Sequence, residues 1–270
     1  MKIMTGVPAS RQRAIYRQDN VNYWTKRAPT YSLLNQAELA ANQREVWKRV
    51  LHHQIQAHFP ARKPSDIRVL DIGTGPGFFS IILAQEGYQV TAVDYTDGML
   101  LQARQNAGPL AERIRFCRMD AQELTFEDSS FDVIVSRNVT WNLCTPKQAY
   151  AHWTRVLKPG GLLLNFDANW YHYLYDQDAL QGHIADKRNT AENGARDDTD
   201  GTDIPAMESI ARRAPLSALN RPDWDLQTLS DFGMNAAADC EIWRRVWTRE
   251  EWLNNASTPM FMIHAVKPAS

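Results

Sequence analysis

An acid and three alternating glycines, Asp71-Ile72-Gly73-Thr74-Gly75-Pro76-Gly77, directly follow the apolar pair Val69-Leu70. Glycine lets a main chain turn sharply and approach a ligand with no Cβ in the way, and the first turn of a following helix offers unpaired N–H donors. A second carboxylate, Asp94, closes the next β-branched run at Val93-Asp94-Tyr95. Placed at the same sheet edge, it could accept hydrogen bonds from both ribose hydroxyls of a nucleoside and would disfavour a 2′-phosphate. The pair fits an adenosine-containing ligand, a dinucleotide among them. A tight turn beside a solvated acid is the plainer alternative.

Other groups with chemical potential are scattered. The run Asp167-Ala168-Asn169-Trp170-Tyr171-His172-Tyr173 is unusually aromatic for a loop, so it suits a flat or conjugated partner or the packing of a lid. Within it His172 is the one base whose ordinary pKa lies near neutrality, which makes it the candidate catalytic residue. No metal site is expected. His52 and His53 are neighbours on a predicted helix and cannot share a face. Asp198-Thr199-Asp200-Gly201 hints at a calcium loop, but Arg196 and Met207 fall where its first and last ligands belong. No glycine-flanked serine elbow occurs.

These residues need a scaffold, and the pattern from Ile67 to Val266 supplies one by alternating short β-branched runs with longer amphipathic ones. The fold class is α/β, a doubly wound, seven-stranded, mainly parallel sheet. The spacing predicts strands at Arg68–Ile72, Gln89–Val93, Ile114–Met119, Phe131–Ser136, Gly161–Phe166, Ala237–Trp243 and Met260–Val266. Helices are predicted over Gly77–Glu86, Asp97–Asn106 and Pro146–Leu157, the last with Thr145 as N-cap and Lys158-Pro159-Gly160-Gly161 as its stop. Tyr31 to Phe59 carries a helical apolar rhythm and is read as one or two helices capping the core. Two units follow: an N-terminal helical cap, 1–66, and a main domain, 67–270, with a lid-like helical insertion at 176–222 after the fifth strand.

The motifs Asp71 to Gly77, Val93-Asp94-Tyr95, Met119-Asp120-Ala121, Phe131-Asp132-Val133-Ile134 and Arg155-Val156-Leu157-Lys158-Pro159-Gly160-Gly161 occur in order at suitable spacings. Together they resemble the class I S-adenosylmethionine-dependent methyltransferases, in particular the small-molecule branch with a ubiquinone-methyltransferase-like core. The resemblance covers about Arg68 to Phe166 and extends weakly to Tyr23-Trp24 and Tyr31. It implies a Rossmann-like methyltransferase fold and S-adenosylmethionine as cofactor, with S-adenosylhomocysteine as product. It implies further that Gly73, Gly75 and Gly77 line the methionine part and that Asp71 anchors the turn. Asp94 would hold the ribose, Tyr95 and Met99 would flank the adenine, and Asp120 with Ala121 would meet its amino edge. Arg137 or Asn138 would lie near the methionine tail. On the acceptor side the candidates are Tyr23, Trp24, Trp141, Asp167, Asn169, Trp170 and Tyr171. The expected reaction is in-line methyl transfer to a small molecule. A protein or RNA acceptor, a non-catalytic binding module and a nicotinamide oxidoreductase are the alternatives.

Composition narrows the classes. The 270 residues are 44% hydrophobic, enough for a sizeable core. Lys and Arg number 30 against 31 Asp and Glu, which leaves no basic excess for gripping phosphate backbones, so nucleic acid is not an expected partner. Cys117, Cys144 and Cys240 form no C-x-x-C pair, as in a reducing compartment. No apolar run approaches the roughly 18 residues of a membrane span. Met1 to Asn20 lacks the apolar core of a secretion signal, so a cytoplasmic location away from the membrane is expected.

Overall fold

The computed structural model describes residues 9–269, so residues 1–8 of the expected cap lie outside the described residues. In chain order the elements are α1 (Ala9–Ala40), α2 (Gln43–His58), β1 (Arg68–Ile72), α3 (Phe78–Gln85), β2 (Gln89–Asp94), α4 (Asp97–Ala107) and β3 (Ile114–Arg118). Then come β4 (Phe131–Arg137), α5 (Pro146–Val156), β5 (Leu157–Asp167), α6 (Gln177–Glu192), α7 (Ile204–Ala211) and α8 (Asp223–Asp231). The chain closes with β6 (Asn235–Asp239), α9 (Trp243–Val246), α10 (Arg249–Asn255) and β7 (Phe261–Val266).

The seven strands form one sheet in the order β3-β2-β1-β4-β5-β7-β6. β1 to β5 run parallel, and β7 enters antiparallel between β5 and β6. Strands covered on both faces are buried along their length, as Val69 to Ile72 and Phe131 to Ser136 are, with Asp71, Asp132 and Ser136 the polar members of otherwise apolar runs. One face packs under α2, α3 and α4 through Trp47, Phe79 and Ile82; the other packs under α5 and α8 through Tyr150, Trp153 and Leu229. The strand order reverses between β1 and β4, and ligands of open α/β sheets bind outside the strand C-termini at such a point.

Three expectations are corrected. The N-terminal helix runs from Ala9, far ahead of Tyr31, and continues through Pro29. Its first half is too polar to show an amphipathic stripe. It is held by tertiary burial of Tyr16, Ala28, Ser32 and Asn35, with Ala28 set against Gly98 of α4. At β5, Lys158 to Gly161 do more than stop a helix. They begin the strand, and the Gly160 N–H donates to the Lys267 carbonyl. A side chain at Gly161 would strike Leu157 at 2.7 Å. β6 is shorter than predicted and displaced, because Asp239 caps the Glu241 N–H and turns the chain before Trp243. The other boundaries shift by a residue or two, within normal fraying.

Residues 176–222 hold α6 and α7, and a buried cluster ties them to the sheet edge. Arg221 makes a bidentate pair with Asp225, donates to Asp167 at 2.9 Å and to the Thr140 hydroxyl at 2.6 Å, and is sealed from solvent. Tyr150 donates to Asp225 at 2.6 Å, and Asn165 donates to both Tyr150 and Thr140. Two buried carboxylates around one guanidinium are tolerated because hydroxyl and N–H donors satisfy their remaining lone pairs.

Candidate active site

The turn after β1 is built from its own side chains. Asp71 Oδ2 accepts from Thr74 Oγ1 at 2.7 Å and Ser80 Oγ at 2.6 Å. Burial pushes its carboxyl up to about 6, against the pull of those two hydroxyls. Gly73 and Gly75 take φ of +66° and +53°, a region closed to most side chains. A Cβ on Gly73 would meet Val139 at 2.3 Å, whereas Gly75 faces open space with the Tyr31 ring 3.8 Å away. Asp94 then braces the turn from β2. Its Oδ2 accepts from the Gly75 N–H at 3.0 Å and its Oδ1 from the Thr96 N–H at 2.9 Å. Enclosure raises the Asp94 pKa, the bonds from Thr96 and Gly75 opposing the shift.

Above this turn lies a cavity of about 890 Å³, open space included. Gly73, Gly75, Asp94, Tyr95, Met99, Asp120, Ala121, Arg137 and Asn138 all reach its wall, so nine of the eleven cofactor candidates converge there. The other two do not. Asp71 is spent inside the turn, and Gly77 is the N-cap of α3, where a Cβ would press on Ala103 at 3.2 Å. Asp120 Oδ1 accepts from the N–H and the side-chain amide of Gln122, with Arg17 3.4 Å from Oδ2. Arg137 pairs with Glu38 at 2.6 Å and lies against the rings of Phe78 and Trp47. Its Nη1 and the neighbouring Asn138 Oδ1 are buried without a hydrogen-bond partner among the described residues. A buried donor and a buried acceptor left unpaired beside a cavity are available to a ligand or to water.

A second cavity, of about 1180 Å³, adjoins the first, and the two share Trp24, Tyr31 and Asn138. Tyr23, Trp24, Trp141, Trp170 and Tyr171, five of the seven acceptor-side candidates, line it. Asp167 and Asn169 do not: Asp167 is fully buried on Arg221, Thr140 and the Trp141 N–H, and Asn169 clamps the Arg221 main chain at both its N–H and carbonyl. His172 is likewise displaced from both cavities, its Nδ1 donating to the Ser217 carbonyl at 3.0 Å, which makes it a brace for the insertion. Sequence reasoning missed two groups. Tyr16, Arg17 and Asn20 enter the first cavity from α1, ahead of Trp24, in a half of the helix whose pattern shows no amphipathic stripe. His183, Asp186 and Asn254 enter the second from α6 and α10, and no local signal marks them.

A Rossmann-like sheet with one reversed strand, a glycine turn at its switch point and an acid ending β2 defines the class I methyltransferase architecture. Residues 70–165 match the family model described as a methyltransferase domain. Among similar proteins, a demethylmenaquinone methyltransferase of Deinococcus radiodurans is 38% identical over 139 residues, 51% of this chain and 55% of that one. A malonyl-[acyl-carrier protein] O-methyltransferase of Geobacter sulfurreducens is 36% identical over 119 residues, 43% and 44% of the two chains. The chain thus spans about half the length of the curated relatives it matches. A Haemonchus contortus phosphoethanolamine N-methyltransferase, solved with phosphomonomethylethanolamine and S-adenosylhomocysteine, shares the fold at 18% identity and a TM-score of 0.52, over 79% of this chain and 52% of that one. Among the described residues no helix is long and apolar enough to cross a membrane.

Proposed function

We propose that the protein transfers a methyl group from S-adenosylmethionine to a small molecule held in the second cavity. The observation that carries this reading is the pair of adjoining cavities that share Trp24, Tyr31 and Asn138. A donor site and an acceptor site must meet where the transferred group passes, and here they meet above the glycine turn.

The first cavity's residues suit the cofactor. Asp94 offers acceptor oxygens for ribose hydroxyls, and Asp120 offers one for an exocyclic amine. Met99 and Tyr95 supply apolar flanks for the base. The unpaired Arg137 Nη1 would take the carboxylate of the methionine tail, and Gly73 and Gly75 let the main chain come close. When bound, the cofactor supplies a sulfonium methyl group already activated toward in-line attack. The protein's own task is then to align a nucleophile and exclude water, which the rings of Trp24 and Tyr31 at the junction do. The names of the demethylmenaquinone and malonyl-carrier methyltransferases support a non-nucleic-acid acceptor, as does the balanced charge. The free thiols Cys117, Cys144 and Cys240 support a cytoplasmic setting.

Isothermal titration with S-adenosylhomocysteine and with NADH tests the cofactor: binding of the first alone is expected, and binding of NADH alone would overturn it. Incubation of a metabolite extract with methyl-labelled cofactor then tests transfer. Binding without labelled product from any extract would favour a non-catalytic module.

A further inference from the structure

The second cavity has two dissimilar ends. At the junction, Trp141 Nε1 donates to the Asn138 carbonyl at 3.0 Å. From Trp141 a ladder of rings leads away: Tyr171 at 4.9 Å, Tyr173 a further 5.8 Å on, and the His183 imidazole stacked on Tyr173 at 4.1 Å with the planes 4° apart. The ladder ends on α6, where His183, Asp186 and Lys187 occupy one helical face.

Asp186 is only 3% exposed, yet it lines this cavity. Its Oδ2 takes both the Ser257 N–H at 3.0 Å and the Ser257 hydroxyl at 2.5 Å, while Oδ1 has no partner among the described residues. Gly182 makes the arrangement possible, since a Cβ there would strike Ser257 at 2.6 Å and push α6 away. Of the two cations on the wall, Lys187 is paired with Asp197 at 2.7 Å and also donates to Thr199 at 2.9 Å, while Arg27 donates to the Thr30 hydroxyl at 2.9 Å and keeps its charge; Asp198 adds a second carboxylate to the same wall. Burial and the nearby Lys187 charge lower the His183 pKa, so its ring stays neutral at physiological pH and repels no cation. A carboxylate with one oxygen held by Ser257 and the other open to the cavity, at the end of an aromatic wall, has the chemistry of an ammonium subsite.

We infer that the acceptor is an elongated molecule with a flat conjugated body laid along the ring ladder and a cationic ammonium head held by Asp186, at the end of the cavity away from the methyl group. The inference rests on the methyltransferase reading, because that reading makes the second cavity the acceptor site. The recognised head and the methylated atom then lie at opposite ends of the acceptor, so the head sets specificity and takes no part in the transfer.

Tryptamine, tryptophol and indole-3-propionate share one ring and differ in charge at the head, and titrating each with and without S-adenosylhomocysteine tests the assignment. Tryptamine is expected to bind at least about tenfold more tightly than the other two, the worth of one charge-assisted hydrogen bond. Asp186→Asn should bring the three within about threefold of one another, and Tyr171→Ala should weaken all three in parallel. Equal binding of the three, preference for the acid, absence of any binding, or an amine preference that survives Asp186→Asn overturns the proposal. If Asp186→Asn does not fold, the shift of the Asp186 carboxylate carbon on adding tryptamine to the wild-type protein is read instead, and no shift overturns it. Failure of S-adenosylhomocysteine to bind would sink the methyltransferase reading, while the amine preference measured without it is scored separately.

Discussion

Asp94 has two duties, bracing Gly75 and Thr96 and presenting oxygen to the first cavity. Asp94→Ala should therefore weaken S-adenosylhomocysteine binding by about 3–6 kcal/mol, two charge-assisted hydrogen bonds at about 1.5–3 each. Calorimetric titration measures this, with circular dichroism showing the fold retained; an unchanged affinity removes Asp94 from the site. Asp94→Asn should fall between, because its amide oxygen still accepts while its NH₂ opposes a backbone N–H. Asp71 gives a pH signature. Its carboxyl is raised from 3.8 to about 6 in the folded chain, so the folded state holds the proton more tightly than the unfolded one. Its contribution to stability is complete below pH 3.8 and is lost as pH rises through about 6. Asp71→Asn keeps an oxygen for Thr74 and Ser80 and carries no charge to bury. It should gain about 1–3 kcal/mol relative to wild type between pH 4 and pH 7.5. Urea denaturation at the two values checks the difference, and a pH-independent offset would contradict it.

Among the elements, the β1–α3 turn borders the first cavity, and α1, α6 and α7 border the second. Gly75→Val places a branched side chain at a φ of +53° beside the cavity, so S-adenosylhomocysteine binding should disappear while most of the sheet stays folded. Normal binding by this variant would make the turn purely structural. Tyr23 and Trp24 line the second cavity from α1 and His183 and Met207 from α6 and α7, so these helices are the ones a closing motion over a bound acceptor would move. Hydrogen exchange should slow in residues 23–31 and 176–222 when S-adenosylhomocysteine and acceptor bind. Exchange already slow without ligand would make them fixed scaffold.

Across the whole molecule, Arg221 joins the insertion to the sheet by bonding Asp167 at the end of β5, Thr140 after β4 and Asp225 on α8. Removing one partner of a buried ion network leaves the others desolvated and unpaired. Arg221→Ala should cost about 3–5 kcal/mol of unfolding free energy, read from the urea midpoint. A loss below about 1 kcal/mol would show that water or a rearranged donor replaces the guanidinium.

Periodicity determined the α/β class and the run of strands, because strand–turn–helix units are local and their constraints fall on consecutive residues such as Asp71 to Gly75, while most residues of the first cavity's wall were named by the resemblance of the motifs between Asp71 and Gly161 to a known family. The composition of the Trp170-Tyr171 run marked one wall of the second cavity. Only the tertiary structure decided the rest. Asp167, Asn169 and His172 have the residue types of a site, but their hydrogen bonds are consumed by Arg221 and Ser217, more than 40 positions away in the chain. Tyr16 and Arg17 reach the first cavity because a polar helix is stabilised by packing on α4 rather than by its own pattern. The pairing of Asp186 with Ser257 depends on the close approach that Gly182 permits between distant segments, a contact no spacing within the sequence encodes.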